Sequence, residues 1–229
     1  RQNVKSAIKS AFPQSVWISR RVRRVLLGTQ SLDQIFSNIY RNNLWADPES
    51  VSGRGSTLAR TAVIRNALPA MLKDVGAKSL LDAACGDFNW MQHVDLGEIR
   101  YLGVDVVAEL IAQNERTYGN THRSFVVMDL TKEDVPKTDV ILCRDCFIHL
   151  SFNHARAVLA NLKRSGSEYL IATTHTQVSN NTDIDSGGWR SVNLQLSPYN
   201  FPSPLQLVME SGELGKGLGM WSLQELPTK

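Results

Sequence analysis

A chain of 229 residues, 42% hydrophobic and 21% charged, has room for one well-buried domain with an appendage and too little for two full domains. This composition excludes a largely disordered protein, and the longest apolar runs are strand-sized, far short of the roughly 18–20 residues a membrane-spanning helix needs. The formal charge of +3 is unevenly placed: residues 1–24 carry seven basic residues and no acid, leaving 18 basic against 22 acidic residues in the remainder.

The basic segment comes first in chain order. Ile18, Val22, Val25 and Leu26 follow helical spacing with arginines between them, and Gly28 reads as a stop. Such an arm can lie on an anionic membrane surface, hold nucleic-acid phosphates, or pack its apolar side on its own domain. Residues 31–75 read as helical at both ends around a loop, Ala46 to Ser56, that contains Pro48, Gly53 and Gly55. Pro69 is expected to bend the second helical stretch or divide it in two. These readings make 1–75 a basic N-terminal helical arm and lid, and 76–229 the main domain.

After Gly76 the pattern turns to alternating strands and helices. Strand-like runs are Ser79–Ala83, Tyr101–Val106, Arg123–Met128, Thr138–Cys143 and Glu168–Thr173. Helix-like stretches lie at Phe88–Val94, Ala108–Tyr118 and Asn153–Arg164, and a polar insert, Thr131–Pro136, separates the third and fourth strands. This alternation predicts an α/β fold, a doubly wound and mostly parallel sheet with helices on both faces. Val192–Leu196, a Pro-rich turn through Pro198, Pro202 and Pro204, and a final run Gly219–Leu226 predict a late antiparallel addition.

Three cysteines, Cys85, Cys143 and Cys146, are free of any second C-x-x-C pair. They read as structural thiols in a reducing, cytoplasmic compartment, with no metal site expected and no secretory leader legible. A basic arm adds the expectation of a place at the inner membrane surface.

The sharpest feature is Ser79-Leu-Leu-Asp82-Ala-Ala84-Cys85-Gly86-Asp87-Phe88. An apolar strand enters a small-residue turn where the backbone at Ala84, Cys85 and Gly86 can approach a ligand, and a helix is expected to follow. Asp105 ends the next strand, at the distance along the chain that suits an acid accepting from ribose hydroxyls. A dinucleotide fingerprint on this loop would read Ala84-x-Gly86-x-x-Asn89, so its third glycine is missing and an oxidoreductase is disfavoured.

These residues, with Tyr101-Leu-Gly-Val-Asp105, Phe125-Val-Val-Met-Asp129-Leu130 and Asp139-Val-Ile-Leu-Cys-Arg144-Asp145, resemble the class I S-adenosylmethionine-dependent methyltransferases over about residues 76–175. Phe88 stands where that family usually has a further glycine. The resemblance implies a seven-stranded sheet with a C-terminal antiparallel strand, and S-adenosylmethionine as cofactor. It further implies that Asp82 orients the loop, Asp105 takes the ribose with Val106 against the adenine, and Asp129 with Leu130 takes the adenine amine. In the loop before the sheet, Trp45 could cover the donor and Arg54 could reach its carboxylate.

The donor's methyl is already activated, so the protein must align an acceptor, exclude water and, for an alcohol, remove a proton. Asp145 and His149 after strand four, and His175 after strand five, are the candidate catalytic residues. Arg144 belongs to the cofactor side, or with Asp145 to a structural ion pair. Where base-amino methyltransferases carry Asn or Asp before Pro-Pro, this chain reads Cys143-Arg-Asp-Cys-Phe147, which disfavours a nucleobase amine. By elimination the expected reaction is O-methylation of a small-molecule, sugar or glycan hydroxyl. The alternatives are an RNA methyltransferase using the basic arm, and a non-catalytic module that binds S-adenosylmethionine or a nucleotide.

Overall fold

The computed structural model describes residues 30–210 and 213–227. The amphipathic reading of the basic arm lies outside them. The described residues from Leu32 onward belong to one compact unit, so the helical residues 32–75 pack in the same body as the sheet.

Helix α1 (Leu32–Arg41) leads through the 46–56 loop to α2 (Leu58–Asp74), whose amide at Arg60 is capped by the Thr57 hydroxyl. Pro69 does not divide α2. Ile64, Leu68, Met71 and Leu72 are buried on either side of it, and this apolar face holds the helix continuous despite one missing hydrogen bond.

The sheet contains β1 (Ser79–Ala83), β2 (Arg100–Asp105), β3 (Arg123–Val127), β4 (Val140–Cys143), β5 (Tyr169–His175), β6 (Gln206–Met209) and β7 (Lys216–Ser222). Its order is β3-β2-β1-β4-β5-β7-β6. The first five strands are parallel; β7 runs antiparallel between β5 and β6. Helix α3 (Ala108–Tyr118) links β2 to β3, and α4 (Phe152–Arg164), capped by Ser151, links β4 to β5.

Alternation along the strands divides the core in two. Leu80, Leu142, Ile171 and Met220 face α2, while Leu81, Ile141, Cys143 and Trp221 face α4 through Ala155, Val158 and Leu162. Each large side chain buried this way contributes about 1.5–3 kcal/mol. Cys143 is thus a small apolar filler under α4, and all three cysteines are free thiols. Among the described residues no helix is long and apolar enough to cross a membrane.

Two expected elements are different in the structure. Phe88–Val94 is not a helix: only a 3-10 turn forms, at Met91–His93, because Phe88 takes a left-handed backbone conformation, φ 59°, that cannot start one. Val192–Leu196 is not a strand either. The Asn193 side chain accepts from the Gln195 amide and its carbonyl accepts from Leu196, which bends the chain away from the sheet. The final strand also starts earlier than expected, at Lys216, and ends at Ser222 before a 3-10 turn, Leu223–Glu225.

Candidate active site

In the strand order, chain connections run outward in opposite directions from the β1–β4 pair, which opens a crevice at the carboxyl ends of these strands. A cleft of about 920 Å³, including its open mouth, occupies that crevice. Residues just beyond β1 (Ala84, Cys85, Gly86), β2 (Val106), β3 (Asp129, Leu130) and β4 (Arg144, Asp145) line it, joined by Trp45 and His149.

The glycine loop explains itself atom by atom. Gly86 has φ 56°, and a Cβ there would run into the Ser52 hydroxyl. Glycine is needed because the 46–56 loop is latched onto this turn: Ser50 Oγ donates to Asp87 Oδ2 at 2.7 Å, and the Asp87 amide donates to Ser52 Oγ at 2.9 Å. Phe88 holds the left-handed conformation that a glycine would take freely. Its ring is buried edge-on against Tyr101 and Phe125, with Arg123 over its face. The left-handed backbone costs about 1–2 kcal/mol, which the ring's burial offsets.

Asp105 closes β2 with Oδ2 accepting from the Gly86 amide at 3.2 Å and Oδ1 from the Val107 amide at 3.1 Å. Burial raises its pKa against these bonds. Asp82 is buried deeper, and desolvation pushes its carboxyl up to about 7 even though Tyr101 donates to it at 2.8 Å. Asp129 behaves in the opposite way. Burial opposes its ionisation, but Lys132 and the Thr131 hydroxyl and amide outweigh that and hold the carboxyl below its usual range.

Beyond β4 lies a charged cluster. Arg144 donates to Glu210 Oε2 at 2.7 Å and to the Gly55 carbonyl at 2.9 Å, and lies 3.3 Å from Asp145 Oδ2. Lys216 Nζ reaches Asp145 Oδ2 at 2.7 Å. Asp145, at φ 53°, exchanges two hydrogen bonds with Thr173: its amide donates to Oγ1 and Oγ1 donates to Oδ1. Burial resists ionisation of Asp145, but Arg144 and Lys216 keep its pKa far below the usual range. A carboxylate so held is a fixed anion, so Asp145 is not itself a proton acceptor near neutrality. Gly55 is pressed against it; a Cβ there would lie 2.9 Å from Oδ2.

His149 ends the 3-10 turn Phe147–His149, with Nδ1 2.8 Å from the Gly188 carbonyl and its ring stacked on Trp45 at 4.6 Å between centroids. A carbonyl only accepts, so Nδ1 carries the proton and Nε2 the lone pair. Burial lowers the His149 pKa, with Lys216 adding to that effect and the Gly188 bond and Asp145 opposing it. The ring is therefore neutral near pH 7.

Two expected site residues lie elsewhere. His175 closes β5 outside the cleft, only 3% exposed, with Nδ1 3.3 Å from both the amide and the carbonyl of Val192, so its ring is committed to the backbone. Arg54 is exposed and does not line the cleft; it opens a 3-10 turn and offers its carbonyl to Thr57. Conversely, Ser52, Ser56, Phe36 and Trp90 line the cleft, and Lys216 and Glu210 complete its charge cluster. Ser52 and Ser56 belong to the 46–56 loop, where small polar residues carry no signal of their own. Nothing in the sequence separates Lys216 or Glu210 from surface charges, because both reach the site only through the antiparallel β7 and the turn before it.

A methyltransferase-domain family model matches residues 80–166, the stretch from β1 through the end of α4. Over that stretch the chain is similar to methyltransferase domains. Solved structures place the same fold around it. The N-methyltransferase NodS from Bradyrhizobium japonicum WM9, in complex with S-adenosyl-L-homocysteine, is similar at TM-score 0.58 and 14% identity, covering 81% of this chain and 98% of that one. Magnesium protoporphyrin IX methyltransferase from Synechocystis PCC 6803, also with bound S-adenosyl-L-homocysteine, gives 0.55 and 14%, covering 82% and 94%. The methyltransferase domain of bacterial CtHen1 gives 0.54 and 17%, covering 71% and 99%. No curated protein matches the chain.

The residues present fit S-adenosylmethionine, whose demethylated product is bound in two of these similar structures. Gly86 leaves a turn without a side chain at the cleft wall, Asp105 offers two acceptor oxygens for a diol, and Val106, Met128, Leu130 and Val158 make an apolar slot for a flat base. Among the described residues no group of three or more His, Cys, Asp or Glu side chains is arranged to hold a metal ion.

Proposed function

We propose that this methyltransferase transfers the methyl group to a hydroxyl oxygen of a small molecule, a sugar or a glycan. The observation that carries the reading is the state of His149: a neutral ring in the cleft, with Nδ1 fixed on the Gly188 carbonyl and Nε2 without a hydrogen-bond partner among the described residues. An alcohol must lose its proton as the new bond forms, and a neutral imidazole held in one tautomer is a base for that step.

The donor supplies a methyl group already activated on a sulfonium centre. Asp105 would hold its ribose hydroxyls, Val106 and Leu130 its adenine, Asp129 the adenine amine, and Asp82 its amino group. His149 Nε2 takes the acceptor proton, and Asp145, kept ionised by Arg144 and Lys216, stabilises the imidazolium that results. Trp45, stacked on the ring, keeps water from its face.

The test is a panel of alcohols and amines assayed for methyl transfer with wild type and His149→Gln. A hydroxyl acceptor whose transfer falls by about 10²–10⁴ in His149→Gln, with donor affinity unchanged by calorimetry, supports the reading. Transfer to amines alone, indifferent to His149, overturns it. Loss of donor binding in Asp105→Ala checks the cofactor assignment separately.

A further inference from the structure

We propose that Trp189 is the platform of an acceptor subsite that takes the face of a neutral sugar ring; this rests on the hydroxyl acceptor argued above. Trp189 is 62% exposed, the most exposed large apolar side chain among the described residues. An exposed leucine is ordinary, but an indole this open on a well-fixed backbone has no evident role in folding.

The backbone on both sides of Trp189 is fastened to the turn that carries His149. The Gly187 amide donates to the His149 carbonyl at 2.9 Å, the Gly188 carbonyl lies on His149 Nδ1, and the Arg190 amide donates to the Ile148 carbonyl at 3.1 Å. The buried Arg190 guanidinium donates to the Leu150 carbonyl and, at 3.0 Å, to the Tyr199 hydroxyl. Upstream, Asp183 Oδ1 accepts from the Phe152 amide at 2.7 Å and Ser186 Oγ from the Ser151 amide at 2.9 Å, tying the segment to the start of α4. The Trp189 backbone therefore keeps a fixed relation to the candidate base, one residue beyond the carbonyl that orients it.

Gly187 and Gly188 carry no side chains that could cover the ring, and the Asp185 carbonyl accepts from the Gly188 amide to form the bend before it. An open aromatic face suits the C–H face of an uncharged pyranose.

The full chain labelled with 5-fluorotryptophan carries five such residues, and the Trp189 signal is the one lost in Trp189→Tyr. It is titrated, with S-adenosylhomocysteine present, with methyl glucoside, methyl galactoside, methyl mannoside and p-cresol. At least one glycoside is expected to move the Trp189 signal. Trp189→Ala should weaken that glycoside about tenfold and Trp189→Tyr restore most of the loss, with donor affinity unchanged in both. No movement with any glycoside, or movement with p-cresol alone, overturns the proposal, as does a glycoside bound equally well by Trp189→Ala. These measurements need no turnover, so failure of His149 as base would leave their outcome intact and be recognised as a separate failure.

Discussion

Lys216 Nζ lies 2.7 Å from Asp145 Oδ2, joining the antiparallel strand β7 to the turn after β4. The lysine opposes protonation of His149 while Asp145 favours it. Removing the lysine leaves the carboxylate's influence unbalanced, so the imidazolium is stabilised and the His149 pKa rises. In Lys216→Met the acid limb of the kcat/KM profile should move to higher pH, with activity at pH 6 falling more than at pH 8. A uniform loss with an unmoved limb would show that Lys216 does not act through His149.

Asp82 gives a second pH effect with a different readout. Its carboxyl is raised to about 7 in the folded protein, so the donor-free chain keeps a proton there that the unfolded chain would release. This contribution to stability is fully present below the unfolded value of about 4 and is lost as pH rises toward 7, so Tm of the donor-free protein should fall across that window. A cationic amino group bound at Asp82 favours the carboxylate, so donor binding should release a proton and tighten as pH rises through 7. Calorimetry in buffers of different ionisation enthalpy measures that release, and Asp82→Asn should abolish it.

The Gly86–Ser52 approach predicts a pair of coupled substitutions. Gly86→Ala places a methyl group against the Ser52 hydroxyl and should weaken donor binding severely. Ser52→Gly alone loses the latch to Asp87 and should weaken binding modestly. The double variant should bind better than Gly86→Ala, short of wild type by the lost latch and by the residual strain at φ 56° of about 1 kcal/mol. Calorimetric titration of the three variants closes the cycle; strict additivity would mean the contact does not shape the loop.

Phe88 permits a separation of backbone and side-chain terms. Phe88→Ala loses a ring that is 1% exposed and keeps the left-handed backbone, for an expected loss of about 3–5 kcal/mol in urea denaturation. Phe88→Gly loses the same ring but is relieved of the left-handed penalty, so it should be more stable than Phe88→Ala by about 1 kcal/mol.

The parallel half of the fold was legible because its signals are local. Ser79–Ala83 and Ala108–Tyr118 form where apolar run and helical spacing put them, and the acids closing β2 and β3 line the cleft with the glycine loop. What escaped depended on distant partners. Phe88–Val94 has helical composition, but Phe88 is pulled into an aromatic cluster built by Tyr101 and Phe125. His175 resembles a strand-end base until the backbone of Val192, 17 residues on, occupies its ring. Lys216 and Glu210 become site residues only because β7 inserts beside β5, a pairing between segments more than 40 residues apart.

That insertion has a consequence for the order in which the protein matures. β6 precedes β7 in the chain yet pairs with no other strand, so it has no place in the sheet until β7 has been made and has docked on β5. Until then Arg144 and Asp145 lack the partners that β7 and the turn before it deliver. A nascent chain on the ribosome can complete its donor-facing half early. The charge cluster beside His149 is assembled only afterwards, when Glu210 and Lys216 reach Arg144 and Asp145.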